Sequence, residues 1–364
     1  MINIKKRLEN YCQYLNFNVK TGHFSLFCMD KYAIMKKIRS EFMKYNKIVV
    51  AGGGVLGSQI AFQSAYCGFD VTIWLRSEDS KTRTQPKLDN LKETYLKDLE
   101  KMKSSKEDDS FWCCGLADKD SFNYDECVKK VEDAYNNMKL EVDMKKAMED
   151  ADLVIESMAE NEKDKIEFYK KLAPVLPEKA VLVTNSSTLL PSQFAKYTGR
   201  PNMYLSLHFA NNIWRKNTAE VMAHDGTEKN YFDEIIEFAN EIRMVALPVN
   251  KEKKGYLLNS MLVPFLLSGF DLMVNGISDP ESIDKAWTLG TGAPKGPFQI
   301  MDTVGLITVK NIVEQYQKVP GLFSPLLQKM MMPYNFKGML EILNKYISEN
   351  KLGTSTKEGF YKYD

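Results

Sequence analysis

KIVVAGGGVLGSQIAFQSAYCGFDVTIWLRS, residues 47–77, reads in one pass as a strand, a glycine turn, a helix and a second strand. Ile48, Val49, Val50 and Ala51 form the short apolar run of a buried parallel strand. Gly52, Gly54 and Gly57 follow as G-x-G-x-x-G, with Val55 and Leu56 opening a helix between the last two. Gly52 permits the tight turn and Gly54 lets backbone N–H groups approach a pyrophosphate. Gly57 lets the helix pack close on the strand while its positive end faces the anion. Ile60, Ala61, Ser64 and Ala65 recur at helical spacing, Gly68 ends the helix, and Val71, Ile73 and Leu75 alternate as the next strand. This is the minimal unit that cradles a dinucleotide.

The second strand ends on Leu75, Arg76 and Ser77. Units of this kind that bind NAD commonly carry an acid there, about 20 residues past the first glycine, to hold the ribose 2′-hydroxyl, whereas a nearby arginine accommodates a 2′-phosphate. A guanidinium with no carboxylate beside it favours NADP over NAD. The alternative is that Arg76 is a solvated strand-end residue and Glu78 or Asp79 takes the ribose, which leaves NAD open.

The 364 residues carry a formal net charge of +1, so nothing in the balance marks a partner of nucleic acid or an anionic membrane. The longest apolar run, residues 261–274, is interrupted by Pro264 and Asp271, is too short for a bilayer span and reads as a buried helix. Six cysteines (Cys12, Cys28, Cys67, Cys113, Cys114 and Cys127) lack metal-ligand spacing, so no metal is expected. They fit reduced thiols in a cytoplasmic setting. Residues 1–45 are lysine-rich without the apolar core of a secretory signal, and arginine and serine are too sparse for an organellar presequence. Met29, Met35 and Met43 stand close before the first strand, and the extension is assigned no role.

After Ser77 comes a charged insertion. Leu88, Leu91, Tyr95, Leu99 and Met102, then Cys127, Val128, Val131, Ala134 and Met138, recur every three or four residues on either side of the polar turn KSSKEDDS. The spacing predicts an antiparallel helical hairpin at about residues 81–138, projecting from the sheet. Alternation then resumes with a strand at residues 140–142, a helix DMKKAMEDA capped by Asp143, a strand at 153–155, a helix at 163–176 and strands at AVLVTN, MYLSLHF and MVALPV. Beyond about residue 250 strand signals cease. The reading is an α/β doubly wound sheet domain of Rossmann type over residues 46–250, followed by an all-helical domain over 251–364.

Oxidation of an alcohol by hydride transfer needs a base for the hydroxyl proton, and imidazole suits neutral pH. Of three histidines, His23 lies in the extension and His224 in the turn-like AHDGTE. His208, at the end of MYLSLHF, stands where an open α/β sheet places its ligands. Glu220 follows twelve residues on and reaches one ring nitrogen if the chain returns to a neighbouring strand.

AGGGVLGSQIA, DADLVIESMAEN, NSST, LHFAN, AEVM, GYLLNSMLVP, GTGAPKGPFQIMDTVGL and EGFYKY occur in this order. In these motifs the chain resembles the L-3-hydroxyacyl-CoA dehydrogenase family, including 3-hydroxybutyryl-CoA dehydrogenases, over about residues 46–364. The resemblance implies His208 as catalytic base, Glu220 as its partner, Ser187 touching substrate and nicotinamide, and Asn259 as the active-site amide. It implies cofactor contacts from the glycine turn, Glu160, Lys165, Ser187 and Asn211, an acyl-CoA substrate, and a homodimer through the C-terminal domain. The hairpin is where relatives hold part of coenzyme A, which makes Lys92, Lys97, Lys101 and Lys103 candidates for its phosphates. Met261, Leu262, Phe265 and Leu266 are candidates for core or interface. The chain departs from the family at Leu75, Asn212, Lys254 and Ser355. The implied activity is reversible oxidation of an (S)-3-hydroxyacyl-CoA. A CoA-independent hydroxy acid dehydrogenase and a silent NAD(P)H-binding protein stand as alternatives.

Overall fold

The structure, a computed structural model, describes residues 44–107, 110–317 and 334–363. The expected N-terminal extension lies almost wholly outside these residues. In chain order the elements are β1 (Lys47–Ala51), α1 (Val55–Tyr66), β2 (Asp70–Trp74), α2 (Glu78–Ser104), α3 (Tyr124–Asn137), β3 (Lys139–Glu141), α4 (Met144–Met148), β4 (Leu153–Glu156), α5 (Glu162–Leu172), β5 (Val181–Thr184), α6 (Pro191–Phe194), β6 (Tyr204–Phe209), β7 (Thr218–Met222), α7 (Lys229–Glu241) and β8 (Val245–Val249). The strands form one sheet in the order β3-β2-β1-β4-β5-β6-β7-β8. Strand order reverses at β1, between β2 and β4, and that crevice is where doubly wound sheets take their ligands.

Ile48 through Ala51 are all fully buried because helices cover both faces of the sheet, which is why β1 reads as an unbroken apolar run. On one face Val49, Val154 and Leu182 meet Phe168, Tyr169 and Leu172 of α5. Every ladder is parallel except β6 with β7. That one reversal sets His208 directly opposite Glu220.

Two predicted helices are shorter than their patterns. The helix begun by Asp143, whose carboxylate accepts Lys146 N–H, stops at Met148 ahead of the left-handed Asp150 (φ 59°). The one predicted over 163–176 ends at Leu172 and tightens into a 3₁₀ turn, Ala173–Val175.

The hairpin begins earlier than predicted, at Glu78, and does not project freely. Tyr95 is fully buried, its ring edge-on to Phe62 and Tyr66 of α1 and its hydroxyl donating to Gln63 Oε1 at 2.8 Å. Asp98, also fully buried, accepts from Trp214 Nε1 at 2.7 Å and from Arg215 Nε and Nη2 at 2.6 and 2.7 Å. The hairpin is thus fastened both to α1 and to the connection after β6.

Beyond β8 lie α8 (Leu258–Val274), α9 (Pro280–Thr291), α10 (Pro297–Val304), α11 (Leu306–Gln317) and α12 (Phe336–Ser348). Val263, Leu266, Phe270, Phe298, Met301 and Leu343 form their core. Leu262 and Phe265 lean against it, while Met261 is 67% exposed. Buried Asp284 accepts the N–H groups of Phe298 and Gln299 and the Tyr361 hydroxyl. Asp302 accepts the N–H groups of Phe360 and Tyr361 and the Tyr363 hydroxyl, so two carboxylates hold the EGFYKY ending.

Candidate active site

The carboxyl ends of β4, β5 and β6 deliver a linked set of polar groups. His208 is the fifth of six residues in β6, with its ring buried beside β7. Its Nδ1 lies 2.9 Å from Glu220 Oε2, and its Nε2 lies 3.1 Å from Ser187 Oγ. Glu220 Oε1 accepts two further hydrogen bonds, from Leu257 and Leu258 N–H, each at 2.9 Å. Burial raises the Glu220 pKa, but the bond from His208 and those backbone donors outweigh it, and the carboxyl titrates below its ordinary range. An ionised carboxylate only accepts, so Nδ1 carries the ring proton and Nε2 presents its lone pair toward Ser187.

Because Glu220 has a lower pKa folded than unfolded, its contribution to stability is complete above the ordinary carboxylate pKa and is lost as pH falls through the folded value. The stability gap between wild type and Glu220→Gln, read from urea midpoints, should therefore narrow as the solution is acidified through that window. A gap independent of pH would mean that the group titrates alike in both states.

Ser187 sits in a turn shaped by Glu160, whose Oε1 accepts from Ser186 Oγ at 2.5 Å and from the N–H and hydroxyl of Thr188 at 2.8 Å each. Burial pushes the Glu160 pKa up, but the Ser186 hydroxyl, Lys165 and the Thr188 donors lower it overall. Asn259 is half-buried in the first turn of α8, next in sequence to the Leu258 N–H that binds Glu220. Asn211 is exposed just past β6. Asn212, one of the departures from the resemblance, has φ of 62° and donates its N–H to Gln59 Oε1 of α1 at 2.8 Å.

Sequence reasoning missed Tyr256, whose ring stacks on His208 with centroids 4.5 Å apart at 15° and whose hydroxyl donates to Ser186 O at 2.7 Å. A lone aromatic between a glycine and an apolar helix gave no signal of this. It also missed Glu156, fully buried at the end of β4. Lys165 Nζ donates to both Glu156 oxygens at 2.7 Å, and Tyr169 and Thr184 hydroxyls complete the set. Lys165 Nζ is 3.8 Å from Glu160 Oε2. His224 Nδ1 accepts the Gly226 N–H within its own turn, and its Nε2 lies 2.9 Å from Pro201 O ahead of β6. Of the hairpin lysines, Lys92 pairs with Glu132, Lys101 and Lys103 lie over Phe111 and Tyr124, and Lys97 is exposed.

The glycine turn fits a dinucleotide. A Cβ on Gly57 would stand 2.1 Å from Gly52 O, and Gly52 itself has φ of 122°. A Cβ on Gly54 would meet nothing within 4 Å, so the approach to α1 is open. No side chain caps α1 and no acid occupies its first turn, an arrangement that suits a pyrophosphate at the helix N-terminus.

Among the described residues no helix is long and apolar enough to cross a membrane. The hydroxyacyl-coenzyme A dehydrogenase of Homo sapiens mitochondria is 30% identical over 317 residues, spanning 87% of this chain and 90% of that protein. The 3-hydroxybutyryl-CoA dehydrogenase of Clostridioides difficile is 28% identical, spanning 87% and 99%. A solved diketoreductase structure, described for dual catalysis of dicarbonyl compounds, is 40% identical with a TM-score of 0.72 and spans 88% and 99%. Residues 47–253 match the NAD binding domain of 3-hydroxyacyl-CoA dehydrogenase, and residues 255–363 match its C-terminal domain. On these two matches the chain belongs to the 3-hydroxyacyl-CoA dehydrogenase family of oxidoreductases.

Proposed function

We propose that the protein catalyses reversible oxidation of a short-chain (S)-3-hydroxyacyl-CoA, such as 3-hydroxybutyryl-CoA, to the 3-oxoacyl-CoA, with NADP preferred over NAD. The hydrogen-bonded series Ser187, His208 and Glu220 at the sheet's carboxyl edge carries the reading. Bound NAD(P) supplies a hydride acceptor at nicotinamide C4. His208 Nε2 takes the 3-hydroxyl proton as the C3–H bond yields its electron pair and the carbonyl forms; in reduction the imidazolium returns that proton. Glu220 keeps the proton on Nδ1 and balances the imidazolium charge, and Tyr256 holds the ring plane by stacking. Ser187 and Asn259 are the donors for the reacting oxygen. Glu160 and Asn211 belong to the cofactor side. Met261, Ile277 and Leu289 are large apolar side chains exposed in the C-terminal region, which supports a homodimer through that domain.

The test is turnover of acetoacetyl-CoA with NADPH and with NADH. The diketoreductase likeness favours a second reading, reduction of a dicarbonyl or hydroxy acid pair without coenzyme A. An equal or higher kcat/KM on a CoA-free diketo ester would move the assignment there.

Arg76 lines the pocket at the end of β2 beside the buried Leu75. Arg76→Ala should lower kcat/KM for NADPH relative to NADH by about 10–100-fold, the value of one charge-assisted hydrogen bond. Equal losses with both cofactors would remove Arg76 from that role.

A further inference from the structure

The cavity of about 250 Å³ beside the glycine turn has a wall that the strand-end reading did not anticipate. The Thr84 hydroxyl of α2 lies 2.7 Å from Ser80 O, to which it donates, and 3.2 Å from Gly53 O. A Cβ on Gly53 would lie 2.1 Å from Thr84 Oγ1 and 2.7 Å from Leu75 Cδ2, so the start of α2 is seated directly on the turn. That seating brings Arg83 and Lys87, four residues apart on neighbouring turns of α2, to the same cavity as Arg76. Ser80 also lines it, and no aspartate or glutamate does. Glu78, the nearest acid in sequence to Arg76, is bound to Lys81 at 3.0 Å.

We infer that Arg76, Arg83 and Lys87 form a binding site for a ribose phosphomonoester, the 2′-phosphate of NADP. Three cationic side chains line this one cavity, two of them fork-shaped donors, and the position held by an acid in NAD-binding units is the apolar Leu75. Arg83 Nη2 also donates to Ser80 Oγ at 3.0 Å and Lys87 Nζ to Arg83 O, bonds within α2 that a phosphate would share. The ligand chemistry has a second source, the 3′-phosphate of coenzyme A. Placement between the ends of β1 and β2, against Gly52 and Gly54, favours the dinucleotide. The inference rests on the dinucleotide reading of the glycine turn and adds Arg83 and Lys87 to it.

The experiment measures dissociation constants of the full chain for NADPH, NADH, coenzyme A and 3′-dephospho-coenzyme A by titration calorimetry. It compares wild type with Arg83→Gln, Lys87→Gln and the double variant. Each single change should weaken NADPH roughly 10- to 100-fold and leave NADH nearly unchanged. Arg83→Lys, which keeps charge without the fork, should fall between. Both side chains reach solvent, and unchanged melting temperatures would confirm intact folding. Equal weakening of NADPH and NADH, or none, overturns the phosphate site while the dinucleotide reading stands. Selective loss of coenzyme A over its dephospho form, with NADPH unaffected, overturns it in favour of the other phosphate. Wild type that binds neither NADPH nor NADH refutes the dinucleotide reading together with the site.

Discussion

His208→Ala is expected to lower kcat by about 10²–10⁴-fold, the usual worth of a positioned general base, while the dissociation constant for the dinucleotide hardly moves. The side chain sits between Ser187 and Glu220, at a different strand end from the glycine turn, so its removal deletes the proton acceptor and leaves the cradle intact. Glu220→Gln keeps an imidazole in place and should cost less than losing it, yet still lower the rate, because a neutral amide neither balances the imidazolium nor holds the proton on Nδ1. Single-turnover hydride transfer followed at 340 nm would check both. A His208→Ala enzyme with wild-type kcat would take the base away from this residue.

Lys165→Met is expected to destabilise the fold by roughly 3–5 kcal/mol, the cost of removing one partner of a buried ion pair. Glu156 is fully buried and spreads two oxygens across Lys165 Nζ, two hydroxyls and the Met158 N–H. Methionine fills most of the lysine's volume, so the loss is chiefly that of charge. Thermal unfolding should shift downward accordingly, and the double change Lys165→Met with Glu156→Gln should recover part of it. Unchanged stability with lost cofactor binding would instead make Lys165 a cofactor contact first.

The dinucleotide unit was legible because its logic is local: an apolar run, three glycines and a helical period all fall within 31 residues. His208 was legible for a similar reason, since strand ends are marked by composition. The Lys165 pair was less so. A family resemblance places it near the cofactor, but only three-dimensional packing brings Glu156, Tyr169 and Thr184 to one point. Asp98 and Arg215 are 117 residues apart, and no periodicity links them. Arg83 and Lys87 drew no reading of their own, because the pattern revealed the hairpin's helices but not the close approach of Thr84 to Gly53. Periodicity reports which face is buried, and says little about what it is buried against.

The opposed strands β6 and β7 bear on how such an enzyme diversifies. Leu207 and Phe209 alternate with His208, Ala219 and Val221 alternate with Glu220, and all four apolar residues are at most 1% exposed. Slipping the ladder by one residue would turn Glu220 to the opposite face and carry those side chains out of their seats. Selection on oily packing alone therefore preserves the alignment of base and carboxylate. Substitutions at the rim of the cleft leave that alignment alone, so a lineage or an engineer can vary the rim while the pairing of base and carboxylate is inherited unchanged.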